Sequence, residues 1–292
     1  MTILITGAAG RTSGYVIRTL LNGGTQPDVL RLFVRSEAAV EKLQAEFPQL
    51  PRSSFAIGDY FDPKSLSIAF QGVDIVFYNG PAFQPLETAM GIAAIEASQR
   101  AAVMHFVYCS VLLPGLRKLS NHELKLGVEE YLAESGLNFT ILQPTAYMQN
   151  FKVKDIAAKS VLAWGASPKT VQSFIDLQDL ADIARLVILD PAPHNYARYD
   201  VVGDRRSLED IASIITRRAS LSAAVVCQQL PREQVAAMAT KGQGAYAQEA
   251  MNMLLYYWDK RGIPGNNNTV RWLLGREPVG WETFVDRELG NK

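Results

Sequence analysis

Cysteine is nearly absent, with Cys109 and Cys227 the only two in 292 residues. Neither lies in a C-x-x-C pair or near a histidine at ligand spacing, which argues against a disulfide framework and gives no metal site; both read as buried free thiols in a reducing compartment. Neither sign of charge is in excess, since Lys+Arg and Asp+Glu are both 29. Without a basic surplus to neutralise a phosphate backbone, nucleic acid is not the expected partner, although a local basic patch stays open. No apolar run approaches the ~20 residues that span a bilayer, so no membrane partner is expected either. The opening MTILITGAAG has no basic stretch ahead of an apolar one and no small-residue cleavage site. It reads as structure and not as a secretion signal, which points to the cytoplasm. Hydrolase, nucleophile-elbow and kinase signatures are missing as well. What is present, 48% hydrophobic and 20% charged residues, suits an ordinary globular chain, long enough for one large domain or a core domain with a smaller appendage.

Short β-branched runs alternate with helical patterns, the mark of βαβ units building a parallel sheet. Strands are expected at 2–6, 29–34, 54–57, 74–78, 105–109, 139–142 and 199–202. Helices with one apolar face are expected at 14–21, 36–47, 65–70, 86–101 and 124–135. The pattern is doubly wound α/β. From about Phe151 the rhythm loosens, and from Asp204 helical segments dominate, with one strand expected at 223–229 and a loop of turn formers, GIPGNNN, at 262–268. The expected division is a nucleotide-binding domain at 1–150, joined by the returning strand near 199–202, and a smaller, mostly helical part at 151–292.

The first strand runs directly into Gly7-Ala8-Ala9-Gly10-Arg11-Thr12-Ser13-Gly14 and then a helix. That is the context in which backbone N–H groups and a helix N-terminus cradle a pyrophosphate, with glycines allowing the tight turn and close approach. Gly7, Ala9, Gly10, Arg11, Thr12 and Ser13 are therefore candidate cofactor contacts. The second strand ends Val34-Arg35-Ser36. An acid there would bond the ribose hydroxyls of NAD and repel a 2′-phosphate, whereas the Arg35 guanidinium pairs with phosphate and Ser36 adds a hydroxyl. NADP(H) is thus the expected cofactor, with Arg11 adding to the same charge pocket; the alternative is that Arg35 is an ordinary solvated residue.

Several segments together resemble the NmrA-like family, a branch of the atypical short-chain dehydrogenases/reductases: ITGAAG, FVRS, GDYFDPKSLSIAFQGVDIVF, FVYCS, VEEYLAESGLNFTILQPTAYMQN and YYWDKRGIPGNNNTVRWLLGREP. The match spans nearly the whole chain, and its ending is similar to fungal members. The resemblance implies a Rossmann domain with a small C-terminal substrate domain. Members include NADPH-dependent reductases, redox-sensing regulators and secondary-metabolism enzymes. It also implies Asp59 and Tyr60 beside the adenine, Asn79, Gly80 and Pro81 along the cofactor, and Ser110 and Lys125 near the nicotinamide ribose. Pro144, Thr145 and Tyr147 would line the nicotinamide, with Asn150 just beyond. Position 13 is Ser where the family usually has its third glycine, which modifies helix packing or phosphate contact there.

Typical short-chain reductases place a Tyr four residues before a Lys, so that the ammonium lowers the phenol pKa. Here that position is Asn121, and an amide cannot replace a titrating phenol. Three residues are candidates for the remaining chemistry, each with a plainer alternative. His122 titrates near neutrality, or caps a helix at the surface. Tyr147 orients or protonates a substrate, or packs. Lys125 holds the ribose hydroxyls, or is a solvated helix residue. If the acceptor is cationic or strongly electrophilic, no protein acid is needed, because the cofactor carries the chemistry. Phe83, Trp164, Phe174 and Trp258 would build an apolar slot for such a molecule, or belong to the core; the run Met251–Trp258 reads as a buried helix. The expected function is an NADPH-dependent reductase of a bulky conjugated or iminium-type small molecule, with secondary-metabolite biosynthesis as its setting. The alternatives are an NADPH/NADP⁺ sensor that signals to a protein partner, or a cofactor-bound enzyme catalysing a cyclisation or rearrangement with no net redox change. The sequence leaves the oligomeric state open.

Overall fold

The computed structural model describes residues 1–291 and divides into two compact units. The first comprises Met1–Lys118, His122–Gln143 and Leu180–Tyr199, and the second Leu119–Asn121, Pro144–Asp179 and the chain from Asp200 onward.

The alternation seen in the sequence becomes β1 (Ile3–Ile5), α1 (Arg11–Asn22), β2 (Leu30–Val34), α2 (Glu37–Glu46), β3 (Phe55–Ile57), α3 (Pro63–Phe70), β4 (Ile75–Tyr78), α4 (Glu87–Arg100), β5 (His105–Cys109), α5 (Ser120–Glu134) and β6 (Phe139–Pro144). Further on come β7 (Ala146–Tyr147), α6 (Val153–Lys159), β8 (Val161–Trp164), β9 (Gln172–Ile175), α7 (Leu177–Leu189), β10 (Ala197–Val201), β11 (Asp204–Arg206), α8 (Leu208–Arg218), β12 (Val226–Gln229), α9 (Arg232–Ala239), α10 (Ala245–Lys260), α11 (Asn268–Leu274) and α12 (Trp281–Leu289).

One seven-stranded sheet runs β10-β6-β5-β4-β1-β2-β3. Central β1 pairs in parallel with β2 on one side (Ile3 opposite Leu30) and β4 on the other (Ile3 opposite Ile75). A strand covered by helices on both faces must be apolar at every position, not at alternate ones, which is why the central strands read as continuous β-branched runs. Strand order reverses between β1 and β4, so the carboxyl ends of these two strands flank the crevice where open α/β sheets bind ligands. The returning strand β10 joins beside β6, with the Tyr196 N–H donating to Phe139 O and the Thr145 N–H to Val201 O. Aromatics dominate one face of the sheet, where Phe33, Tyr60, Tyr78, Phe106 and Tyr108 share a core with Leu66, Phe70, Val128 and Leu132 from α3 and α5.

The second unit holds a three-stranded sheet, β11-β9-β7, and a pair, β12-β8. The strand expected at 223–229 is present in shorter form as β12, while β7, β8, β9 and β11 escape a periodicity reading. Strands of two to four residues are too short to display an alternation, and only their partners define them. The core of this unit gathers Phe151, Phe174, Trp281 and Phe284. Helix α10 corrects the expected buried run at 251–258: Leu254, Leu255 and Trp258 are buried but Met253 and Tyr256 are exposed, an amphipathic helix with one face in water. Among the described residues no helix is long and apolar enough to cross a membrane, and no group of His, Cys, Asp and Glu could hold a metal ion.

Candidate functional site

Strand β1 hands the chain to Gly7, whose φ of +55° lies in the left-handed region. A Cβ there would also run into the backbone carbonyl of Asn79, so both the dihedral and the space demand glycine. The Gly10 N–H closes the turn on Gly7 O at 2.8 Å. Helix α1 then begins with Gly10 as a cap that has no side chain to offer and with no acid in its first turn. The first-turn N–H groups of Thr12 and Ser13 have no earlier helical turn to donate to and sit at the positive end of the helix dipole, where an anion is favoured. Lys42, which no sequence motif singles out, reaches from α2 to Ala9 O at 3.1 Å and brings a further cation to this turn.

The serine at position 13 belongs to the framework. It is fully buried, donates to Thr6 O at 2.9 Å and accepts from Asn79 Nδ2 at 3.0 Å, while the Asn79 N–H donates to Thr6 Oγ1 at 2.9 Å. These bonds tie the ends of β1 and β4 together across the strand-order reversal. The Asn79 amide thus faces Ser13, and Gly80 follows with no room for a Cβ, which would lie 2.9 Å from the Tyr78 hydroxyl. Pro81 and Phe83 are half-buried beyond it, Phe83 at a positive φ of 59°.

Arg35 is exposed at the carboxyl end of β2. Ser36 caps α2 by accepting the Ala39 N–H, which uses a lone pair and leaves its O–H to donate. The nearest acid in sequence, Glu37, is paired with Arg52 at 2.8 Å. Asp59 spends its Oδ1 on the Phe61 N–H in the loop after β3. Tyr60 corrects an expectation: its ring is in the core, edge-on to Phe33 and Tyr78 at centroid separations of 5.3 and 5.9 Å, and only 8% of the residue is exposed. Burial pushes its phenol up to about 12 against a hydrogen bond from Thr6. A ring of this size gains more from burial than from lying on a surface, so Tyr60 is part of the floor beneath the turn.

A line of buried polar residues runs along α5. Asn121, Lys125 and Glu129 recur every fourth residue on one face, and all three are under 9% exposed. Lys125 Nζ lies 2.5 Å from Glu87 Oε1 of α4 and 6.0 Å from the centre of the Tyr108 ring. Burial by itself works against the Lys125 ammonium, but the Glu87 carboxylate more than offsets this and holds its pKa above the lysine range. The lysine is therefore a buried paired cation, not a solvated one. Ser110, just beyond β5, donates to Glu129 Oε1 at 2.5 Å. Gln143 on β6 donates to both carboxylate oxygens at 2.9 and 3.0 Å, and Arg198 Nε on β10 lies 3.9 Å from Oε2. Burial pushes the Glu129 carboxyl up. His122 is neither a cap nor a surface group. It is 1% exposed, its Nδ1 is 3.1 Å from Leu113 O, and burial pushes its pKa down to about 4, so at neutral pH it is an uncharged ring donating Nδ1–H to a carbonyl.

Within the second unit Pro144 ends β6, the Thr145 hydroxyl donates to Ser173 O, Tyr147 on β7 is half-buried and Asn150 is exposed. Phe174 is 1% exposed and edge-on to Phe151 and Trp281, a core residue and not a slot wall. Trp164 stacks on Phe151 at 5.1 Å and on Trp258 at 6.3 Å, so two expected slot residues do come together. Glu87, Glu129, Gln143 and Arg198 were not singled out from sequence; the one available signal was the four-residue spacing of Glu129 from Lys125.

The sequence profile of the NmrA-like family matches residues 1–264. The NAD(P)H azoreductase of Xenophilus azovorans is 28% identical over 291 residues, 97% of this chain and 96% of that protein. The crystal structure of an NADPH-dependent quinone oxidoreductase from Escherichia coli, complexed with NADPH, superposes with a TM-score of 0.80 at 25% identity, covering 99% of this chain and 100% of that one. The triphenylmethane reductase of Citrobacter sp., complexed with NADP(H), superposes with a TM-score of 0.82 at 22% identity, with the same coverage.

Proposed function

This chain belongs to the NmrA-like family, and from that premise we propose that it is an NADP(H)-dependent oxidoreductase that reduces a conjugated small molecule. One observation carries the reading: the uncapped N-terminus of α1 behind Gly7 and Gly10 stands beside a strand β2 that ends in exposed Arg35 with no acid following until the paired Glu37. These residues fit the cofactor. The first-turn N–H groups hold its pyrophosphate, and Arg35 with the Ser36 hydroxyl takes the 2′-phosphate. When bound, the reduced nicotinamide supplies a hydride. The chain's own part is positioning: the Thr6–Ser13–Asn79 bonds fix the crevice floor, and the buried Lys125–Glu87 pair ties α5 to α4. Relatives named for azo compounds and quinones support an acceptor that is conjugated and electrophilic. An iminium intermediate in a fungal biosynthetic pathway is the finer form of this reading.

The test is NADPH oxidation against a panel of quinones, azo dyes, triarylmethane dyes, enones and iminium ions. Absence of turnover with all of them sinks the proposal. In parallel, Arg35→Ala is expected to weaken NADPH binding about 10- to 100-fold, from the loss of charge-assisted bonds of about 1.5–3 kcal/mol, and to leave NADH binding nearly as it was. Equal losses for both cofactors would remove Arg35 from the phosphate site. Asn121 favours a second reading, a sensor without turnover; it requires NADPH and NADP⁺ to bind with different affinities, since a ligand shifts an equilibrium only through differential affinity.

A further inference from the structure

We propose that Ser110 and Glu129 are the proton supply of this site: Ser110 gives its hydroxyl proton to the reduced acceptor and recovers it from the Glu129 carboxyl. The proposal rests on the reductase reading above and adds a specificity to it, because only a neutral acceptor needs such a pair.

Several other titratable groups of the first unit are committed elsewhere. The position of the usual phenol is Asn121. Tyr60, Tyr78 and Tyr108 are buried phenols whose pKa values burial drives upward. His122 is held neutral with its Nδ1 at a carbonyl, and Lys125 is paired with Glu87. Glu129 differs because its partner is a hydroxyl that follows the carboxyl end of a sheet strand, the edge at which open α/β sheets place their ligands.

The bond between them can run in either direction. With Glu129 ionised, Ser110 donates inward to Oε1 at 2.5 Å. With Glu129 protonated, its O–H donates to Ser110 Oγ, which frees the serine proton to donate elsewhere. Gln143 Nε2, bonded to both carboxylate oxygens, fixes the plane of the carboxyl in either state. Burial favours the protonated form. Arg198, whose side chain is 51% exposed, lies 3.9 Å from Oε2. Lys125 and Tyr108 are the remaining titratable groups that act on Glu129.

The balance closes. A neutral azo or enone acceptor takes a hydride from the reduced nicotinamide, and the electron pair of its broken π bond goes to nitrogen or oxygen. That atom takes the Ser110 proton as the Oγ–H bond breaks. The Glu129 O–H then breaks as the serine O–H re-forms, and water reprotonates the carboxylate. A cationic triarylmethane dye becomes neutral on receiving the hydride alone and has no use for the proton.

The experiment compares wild type, Glu129→Gln and Ser110→Ala, each as the full chain with NADPH, on a neutral azo dye and on a cationic triarylmethane dye. NADPH binding is measured separately as a check on folding, and the carboxyl infrared band is followed through a pH titration of the NADP⁺-bound protein. The ratio of azo to triarylmethane turnover is expected to fall about a hundredfold in both variants, the scale of a lost general acid. Glu129→Gln is expected to remove one titrating carboxyl band, and Ser110→Ala to move its midpoint. An unchanged ratio, a wild type active on the cationic dye alone, or a Glu129 band that does not titrate would each overturn the proposal. A wild type that binds NADPH and reduces neither these dyes nor any quinone, enone or iminium ion of the wider panel would instead sink the reductase reading, and the proposal with it.

Discussion

Replacing Lys125 by methionine keeps the length of the stem and removes the ammonium that lies 2.5 Å from Glu87 Oε1. Glu87 is 1% exposed, and among the described residues its other oxygen, Oε2, has no hydrogen-bond partner, so nothing takes the place of the lost charge. Breaking one side of a buried pair costs about 3–5 kcal/mol, against about 0–1 kcal/mol for a surface pair. For a unit of this size that corresponds to a fall in melting temperature of roughly 10 °C. The pH dependence has a definite sign. Burial raises the Glu87 carboxyl above its usual range, and without Lys125 this effect stands unopposed. An acid whose pKa is higher folded than unfolded adds stability that is complete below the unfolded value of about 4.3, and loses it as pH climbs through the folded value. The gap between variant and wild type therefore narrows on acidification. Thermal melts across a pH series, at low and high salt, make the measurement; a buried pair is screened only weakly. The double variant Glu87→Gln, Lys125→Met removes both charges and is expected to recover most of the loss. A single variant that melts with wild type, or a double variant no better than the single, would refute the assignment of a buried pair.

Two further predictions concern stability. Arg287 lies 2.6 Å from Asp176 Oδ2, whose carboxyl is fully buried and also accepts from Gln149 Nε2 and the Gln178 N–H. Arg287→Ala is expected to cost about 3 kcal/mol in urea melts, the low end for a broken buried pair because those hydrogen bonds remain; a loss under 1 kcal/mol would mean the pair behaves as an exposed one. His105 and His122 are both pushed down to about 4 by burial. Folding therefore loses stability as pH falls from about 6.5, where unfolded histidine takes up its proton, toward 4. The slope should be shallower in His122→Gln, and an identical slope would show that His122 titrates normally.

The first unit was legible because its strands are covered on both faces and its turn needs glycine. Ile3 to Ile5 and Leu30 to Val34 have few alternatives to a buried parallel strand, and Gly7 carries both a positive φ and a close approach to Asn79. The serine at position 13 was visible as a departure, but its use, a bond to Asn79 66 residues away, was not. Glu87 and Glu129 carry no such local signal, because a glutamate on an amphipathic helix is ordinarily solvated. The short strands β7, β8, β9 and β11 were unreadable because their identity lies in their partners.

By itself the sequence determined the parallel sheet, the glycine turn between β1 and α1, the arginine in place of an acid after β2 and the loss of the tyrosine before Lys125. These are properties of local runs, and local sterics and hydrophobicity set them. Only the tertiary structure decided which polar groups leave water and which partner each one meets. Lys125 finds Glu87 38 residues away, and Ser110 finds Glu129 19 residues away. Charge state and proton affinity follow from burial and neighbours, and neither exists until the helices have packed on the sheet.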